Sequence, residues 1–183
     1  GIERLRADLA GRPYLWSGRS SLTLHSGMKD ISEDVFLNIK NKSVTIVADV
    51  EVPAGGGEGV ILAQGGRFGG WSLYLKDGKP TYSYNYLGMQ RSSVTAQDPL
   101  PAGKATVRLE FAYDGGGMGK GGVGTLYVND QQVGSGRIER TQAMIFSADE
   151  TADVGIDGAT PVVEDYRTPR GQFSGKIGKV TVS

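Results

Sequence analysis

Strict alternation of apolar and polar side chains over short runs constrains this chain more than anything else in it. In SVTIVADVEVP, Val44, Ile46, Ala48, Val50 and Val52 share one face, while Thr45, Val47, Asp49 and Glu51 take the other. ATVRLEFAY repeats the pattern, with Val107, Leu109, Phe111 and Tyr113 opposite Thr106, Arg108, Glu110 and Ala112. A period of two cannot lay an apolar stripe along a helix, so both runs read as half-buried antiparallel strands. SLTLH, GVILAQ, GWSLYLKD, PTYSYNYL, GTLYVND, QQVGSGRI, DVGID and KIGKVTVS are further strand candidates, and only IERLRADLAG hints at a short helix. Glycine makes up 29 of 183 residues, about twice its ordinary share, and clusters between the alternating runs. About ten to twelve short strands with frequent turn signals favour an all-β sandwich or barrel in one domain, residues 1–183, over an α/β enzyme fold.

The stretch Gly65 to Gly88 shows how the strands connect. Trp71, Leu73 and Leu75 alternate with Ser72, Tyr74 and Lys76, Asp77-Gly78 signals a reversal, and Tyr82, Tyr84 and Tyr86 then alternate with Thr81, Ser83 and Asn85. This predicts a hairpin, and Asn129-Asp130 predicts a second tight turn. The tyrosine stripe is a possible sugar platform, but one face of an amphipathic strand normally forms core. Arg67 and Phe68, set between glycine pairs, are expected on an exposed mobile loop and, with Arg91, are the candidate contacts to a ligand or partner.

Bulk composition removes several functions. Lysine plus arginine and aspartate plus glutamate each total 20, so no global field draws the chain to nucleic acid or an anionic surface. The absence of cysteine removes cysteine metal sites and thiolate nucleophiles, a single histidine, His25, makes a zinc site or a histidine-based triad hard to assemble while carboxylate chemistry stays open, and His25 is expected to be a surface or strand residue. No apolar run approaches the roughly 20 residues that span a bilayer. The absence of such a run leads to the expectation of a soluble bacterial protein, periplasmic or cytoplasmic with the compartment left open, and the opening Gly-Ile-Glu suggests a processed chain or part of a longer one.

Shorter motifs weigh toward structure. Gly117, Gly119 and Gly122 match dinucleotide-loop spacing, but VGTLYV follows as a strand where that loop needs a helix; a flexible connection is expected. The acidic run with Asp149, Glu150, Asp153, Asp157, Glu164 and Asp165 has oxygen enough for calcium yet lacks EF-hand spacing, and is read as solvated loop carboxylates. Asn41-Lys42-Ser43 fits a glycosylation sequon. Glu164 and Asp165 are adjacent and would face opposite sides of a strand, which does not suit a paired-acid glycosidase.

The runs AQGGRFGGWSLYLKDGKPTYSYNYLG, DPLPAGKATVRLEFAYDGGGMGKGGVGTLYVN, GRIERTQAMIFSADETADVGIDGATPVVEDY and FSGKIGKVTV, together with GRPYLWSGRSSLTLHSGM, resemble the C-terminal region of large bacterial arylsulfatases. The resemblance implies an antiparallel two-sheet sandwich of the concanavalin and laminin-G type, a jelly roll, placed after a sulfatase catalytic domain of the alkaline-phosphatase superfamily. That domain would carry a formylglycine within a C/S-x-P-x-R signature and a divalent cation such as calcium. Thr168-Pro169-Arg170 does not supply the signature, so no catalytic residue, metal ligand or cofactor is expected in this chain. The expected role is a non-catalytic accessory domain that packs on the catalytic domain of the same polypeptide or forms a homo-oligomer. The alternative is a carbohydrate-binding module in which Arg67, Phe68 and Arg91 meet a sulfated glycan.

Overall fold

The computed structural model describes residues 21–29, 31, 39–142, 152–157, 161–166 and 171–183. Eleven strands are seen among them: β1 (Leu22–His25), β2 (Val44–Val52), β3 (Gly59–Gly66), β4 (Gly69–Lys76), β5 (Lys79–Tyr86), β6 (Gln90–Thr95), β7 (Gly103–Tyr113), β8 (Gly122–Val128), β9 (Gln131–Ile138), β10 (Ala152–Val154) and β11 (Lys176–Val182). They form a six-stranded sheet, ordered β1-β11-β2-β7-β8-β9, and a five-stranded sheet, ordered β10-β3-β4-β5-β6. Every pairing is antiparallel.

Alternation places the core between the sheets. Ile46, Ala48, Val107, Leu109 and Leu126 of the larger sheet meet Trp71, Leu73, Tyr82 and Val94 of the smaller one, and all are buried. Tyr84 is also core, so the tyrosine stripe is used for packing, with Tyr86 half-buried at its end. At one sheet edge the layers close directly, Gln97 N–H donating to Val133 C=O. The glycines of QQVGSGRI explain this approach: a Cβ on Gly134 would stand 2.9 Å from the Thr95 carbonyl oxygen, and one on Gly136 3.1 Å from Val94 Cγ2.

Both turn signals hold. Asp77 and Gly78 have φ of 53° and 77°, and Asn129 and Asp130 of 48° and 67°, the left-handed pair a two-residue hairpin requires. His25 is exposed at the end of β1. Other expectations are corrected. Arg67 and Phe68 are exposed, as expected, on a tight turn between β3 and β4, but Arg91 lies within β6, a strand that the polar run QRSSVT conceals because only Val94 reaches the core. The strand expected at DVGID ends at Val154, since Asp157 turns into a different role. The suggested helix at IERLRADLAG, the segment around Asp149 and Glu150, and Thr168-Pro169-Arg170 lie outside the described residues.

Leu73 has no exposed surface and sits at the centre of the core. Leu73→Ala is expected to lower the free energy of unfolding by about 2–5 kcal/mol, read from urea titration followed by circular dichroism.

Candidate functional site

Three surfaces compete for function, and each is set by what the local sequence can bury. The outward face of the five-stranded sheet carries Ser72, Tyr74, Thr81, Ser83 and Asn85, which alternation leaves polar, yet all five are buried. Residues 161–166 lie over them, packing Val162, Val163 and Tyr166 on Val60, Ala63 and Tyr74, and with Asp157 they form a strap across the face. The rings of Tyr74 and Tyr166 meet edge to face at 5.4 Å.

Hydrogen bonds hold this strap. Asp157 Oδ2 accepts from Val162 N–H at 2.7 Å and from the Tyr166 hydroxyl at 2.5 Å, and Asp165 Oδ2 accepts the Tyr74 hydroxyl at 2.7 Å. Tyr74 Oη also lies 3.0 Å from Ser83 Oγ, which is 2.7 Å from Ser93 Oγ, and Lys76 Nζ stands 3.4 Å from Asp165. The expectation of solvated carboxylates is thereby overturned for Asp153 and Asp157, each 2% exposed, and Asp165 is bound to the sheet. Among the described residues no three His, Cys, Asp or Glu side chains are grouped so as to hold a metal ion.

Both phenols are pushed above the ordinary tyrosine range. For Tyr74 burial is the main cause, with Ser83 opposing and Asp165 reinforcing; for Tyr166 burial again leads, followed by the negative charge of Asp157.

The second surface is the end of the sandwich where β3–β4 and β5–β6 turn. Asn85, fully buried, donates through Nδ2 to the carbonyl oxygens of Arg67 and Val162, both at 2.9 Å, and its Oδ1 accepts Gly88 N–H at 2.9 Å. One side chain therefore ties two turns and the strap together. Leu87 and Gly88 have φ of 53° and 72°, a sharp reversal that throws the neighbouring side chains outward. Phe68, Leu87 and Met89 are 66%, 45% and 74% exposed. The Arg67 guanidinium lies 5.5 Å from the Phe68 ring centroid, and Arg91 is the cross-strand partner of Asn85. The three candidate contacts are thus brought to one end of the molecule. Leu87, Met89 and Asn85 join them there, and the signal for this in the sequence is the Asn-x-x-Gly spacing, which lets a side-chain oxygen receive an amide three residues on.

The glycine-rich connection at 114–121 belongs to the same end. It is folded around Tyr113, whose hydroxyl donates to Gly117 C=O at 2.6 Å and accepts Lys120 N–H at 2.9 Å, while Asn41 Oδ1 receives Gly119 N–H at 2.8 Å. Strand β8 follows it, and the Arg137 guanidinium holds Asp114 in a bidentate pair, lowering that carboxyl's pKa.

The third surface is the outward face of the six-stranded sheet. There Asp49, Glu51, Lys104, Thr106, Asn129 and Lys176 border a groove of about 620 Å³ beside the irregular register of β11.

No protein-family model matches the chain and no curated protein matches its sequence. Similar solved structures define the fold. The leech intramolecular trans-sialidase complexed with 2,7-anhydro-Neu5Ac superposes with a TM-score of 0.55 at 12% identity, over 90% of this chain and 25% of that one. The Ruminococcus gnavus IT-sialidase CBM40 bound to α2,6-sialyllactose gives 0.53 at 14%, over 78% and 77%. Mouse laminin α1 domains LG4-5 give 0.50 at 16%, over 93% and 40%. The fold is a laminin-G-like and concanavalin-like sandwich. At these identities the likeness extends to architecture alone, and the chain spans only part of the laminin and leech structures.

Tyrosines kept neutral in the fold ionise near pH 10 when unfolded, so their contribution is complete below about pH 10 and falls as the pH rises beyond it. Tyr166→Phe is expected to cost about 1–3 kcal/mol at neutral pH, because Asp157 loses a donor, and to flatten the alkaline decline. Urea titrations of both proteins across the alkaline range measure this; parallel declines would contradict it.

Proposed function

We propose that this chain is a non-catalytic accessory sandwich of a larger arylsulfatase, packing on the catalytic domain or on a second subunit. The observation that carries the reading is the use of the acidic segment as a strap. Asp157 and Asp165, carboxylates that a hydrolase would direct at substrate or metal, instead accept structural hydrogen bonds, Asp157 from within the strap and Asp165 from Tyr74 of the sheet. One sheet face is closed by the chain itself, which leaves the open six-stranded face with its mixed-charge groove to meet another part of the protein. The sulfatase context rests on the sequence stretches that resemble the C-terminal region of that family. The nucleophile and the cation that such chemistry needs would be supplied by the catalytic domain.

A second reading is favoured by the arrangement of Arg67, Phe68 and Arg91. The Arg67 guanidinium beside the exposed Phe68 ring, with Arg91 at the start of β6 at the same end, could hold sulfate groups while the ring stacks on a sugar face, making this end a module for a sulfated glycan.

Two measurements separate these readings. Removing residues 1–183 from the full polypeptide is expected to lower its melting temperature or its aryl-sulfatase turnover, and no change in either would defeat the packing role. A glycan array with sulfated polymers, read with and without Arg67→Ala, tests the second; an absence of binding at millimolar ligand would remove it.

A further inference from the structure

Basic and apolar side chains meet at one end of this molecule although its charged totals balance at 20 and 20. Four of the exposed large apolar side chains, Phe68, Leu87, Met89 and Met118, stand on turns at one end, at 66%, 45%, 74% and 68% exposure. The segments are in mutual contact: a Cβ on Gly88 would lie 3.1 Å from the Arg67 carbonyl oxygen, Thr141 Oγ1 donates to Lys120 C=O at 2.6 Å, and Gln142 side-chain atoms crowd Gly69. These same segments contain Lys40, Lys42, Arg67, Arg91, Lys120 and Arg140. Their acids are Glu139 and Asp114, the latter engaged by Arg137.

We propose that this end docks on an anionic lipid bilayer, with the apolar tips entering the interface and the cations resting among the headgroups. Burial of apolar side chains and attraction between basic groups and anionic lipid act together in such contacts. The long stems of lysine and arginine can lie along apolar surface while their charges stay in water.

An independent feature supports lipid over another partner. A turn that leaves water must not carry bare amide groups into an apolar phase. Here several turn groups are satisfied from within: Asn85 serves Arg67 C=O and Gly88 N–H, Tyr113 serves Gly117 C=O and Lys120 N–H, and Asn41 serves Gly119 N–H. A sulfated polymer would engage the cations but has no use for Leu87, Met89 and Met118. Two flexible methionines on projecting turns also suit a deformable phase. This inference goes beyond the accessory role and does not depend on the sulfatase context.

The test is sedimentation of the 183-residue chain with vesicles of phosphatidylcholine alone or mixed with phosphatidylglycerol. Binding is expected only to the mixed vesicles. The pair Phe68→Ser and Met89→Ser should weaken it at least about tenfold with the melting temperature unchanged, since both side chains are exposed. Arg67→Gln with Arg91→Gln should weaken it and reduce its sensitivity to salt. No sedimentation with anionic vesicles overturns the proposal, as does binding untouched by the apolar substitutions. Retention by a sulfated polymer without vesicle binding overturns it in favour of the glycan. Self-association abolished by Phe68→Ser, again without vesicle binding, overturns it in favour of a second copy. The accessory role is judged separately by the truncation experiment.

Discussion

Burying a sheet on both of its faces obliges every polar group on the second face to find a partner, and that obligation organises the five-stranded half of this molecule. Strands β4 and β5 put Trp71, Leu73, Tyr82 and Tyr84 into the core, which leaves Ser72, Tyr74, Ser83 and Asn85 facing outward. Covering those groups without partners would cost on the order of 1–3 kcal/mol each. The strap supplies partners through Asp165, Tyr166 and the Val162 carbonyl, Asp157 holds Tyr166 and Val162 in place, and Val162 and Val163 add apolar contact. The segment richest in oxygen is therefore a fastening.

The same economy decides which surfaces are left to meet other molecules. One sheet face is sealed, one sheet edge is closed by β6 against β9, and the six-stranded face remains open with its groove. At the turn end, Asn85 and Tyr113 absorb backbone groups of reversals that would otherwise need water, and the side chains of those reversals are directed outward. Rigid support beneath exposed Phe68, Leu87 and Met89 distinguishes this end from an ordinary set of mobile connections.

Legibility varied with the physical origin of each feature. The hairpins at Asp77-Gly78 and Asn129-Asp130 were plain because a left-handed backbone demands particular residues locally. The core faces of β2 and β7 were plain because burial on one side imposes a period of two. Strand β6 was hidden: as an edge strand it places only Val94 in the core, so QRSSVT lacks the alternating apolar signal. Arg67, Phe68 and Arg91 were picked out as exposed contacts, and they do gather at one end, but the hydrogen bonding that gathers them depends on Asn85, which reads locally as an outward polar residue of a strand.

By itself the sequence determined that the chain would pair short antiparallel strands into layered sheets, since alternation, turn residues and the shortage of cysteine and histidine are local or compositional facts. Only the tertiary structure decided that Asp157 and Asp165 act as fasteners, that the second face of the smaller sheet is buried, and that cations and apolar side chains from five separate segments share one end. Those outcomes depend on contacts between residues up to 91 and 94 positions apart, as between Tyr74 and Asp165 or Ser72 and Tyr166. No local pattern encodes a partner so distant, because the propensity of each segment is indifferent to what the fold will later lay across it.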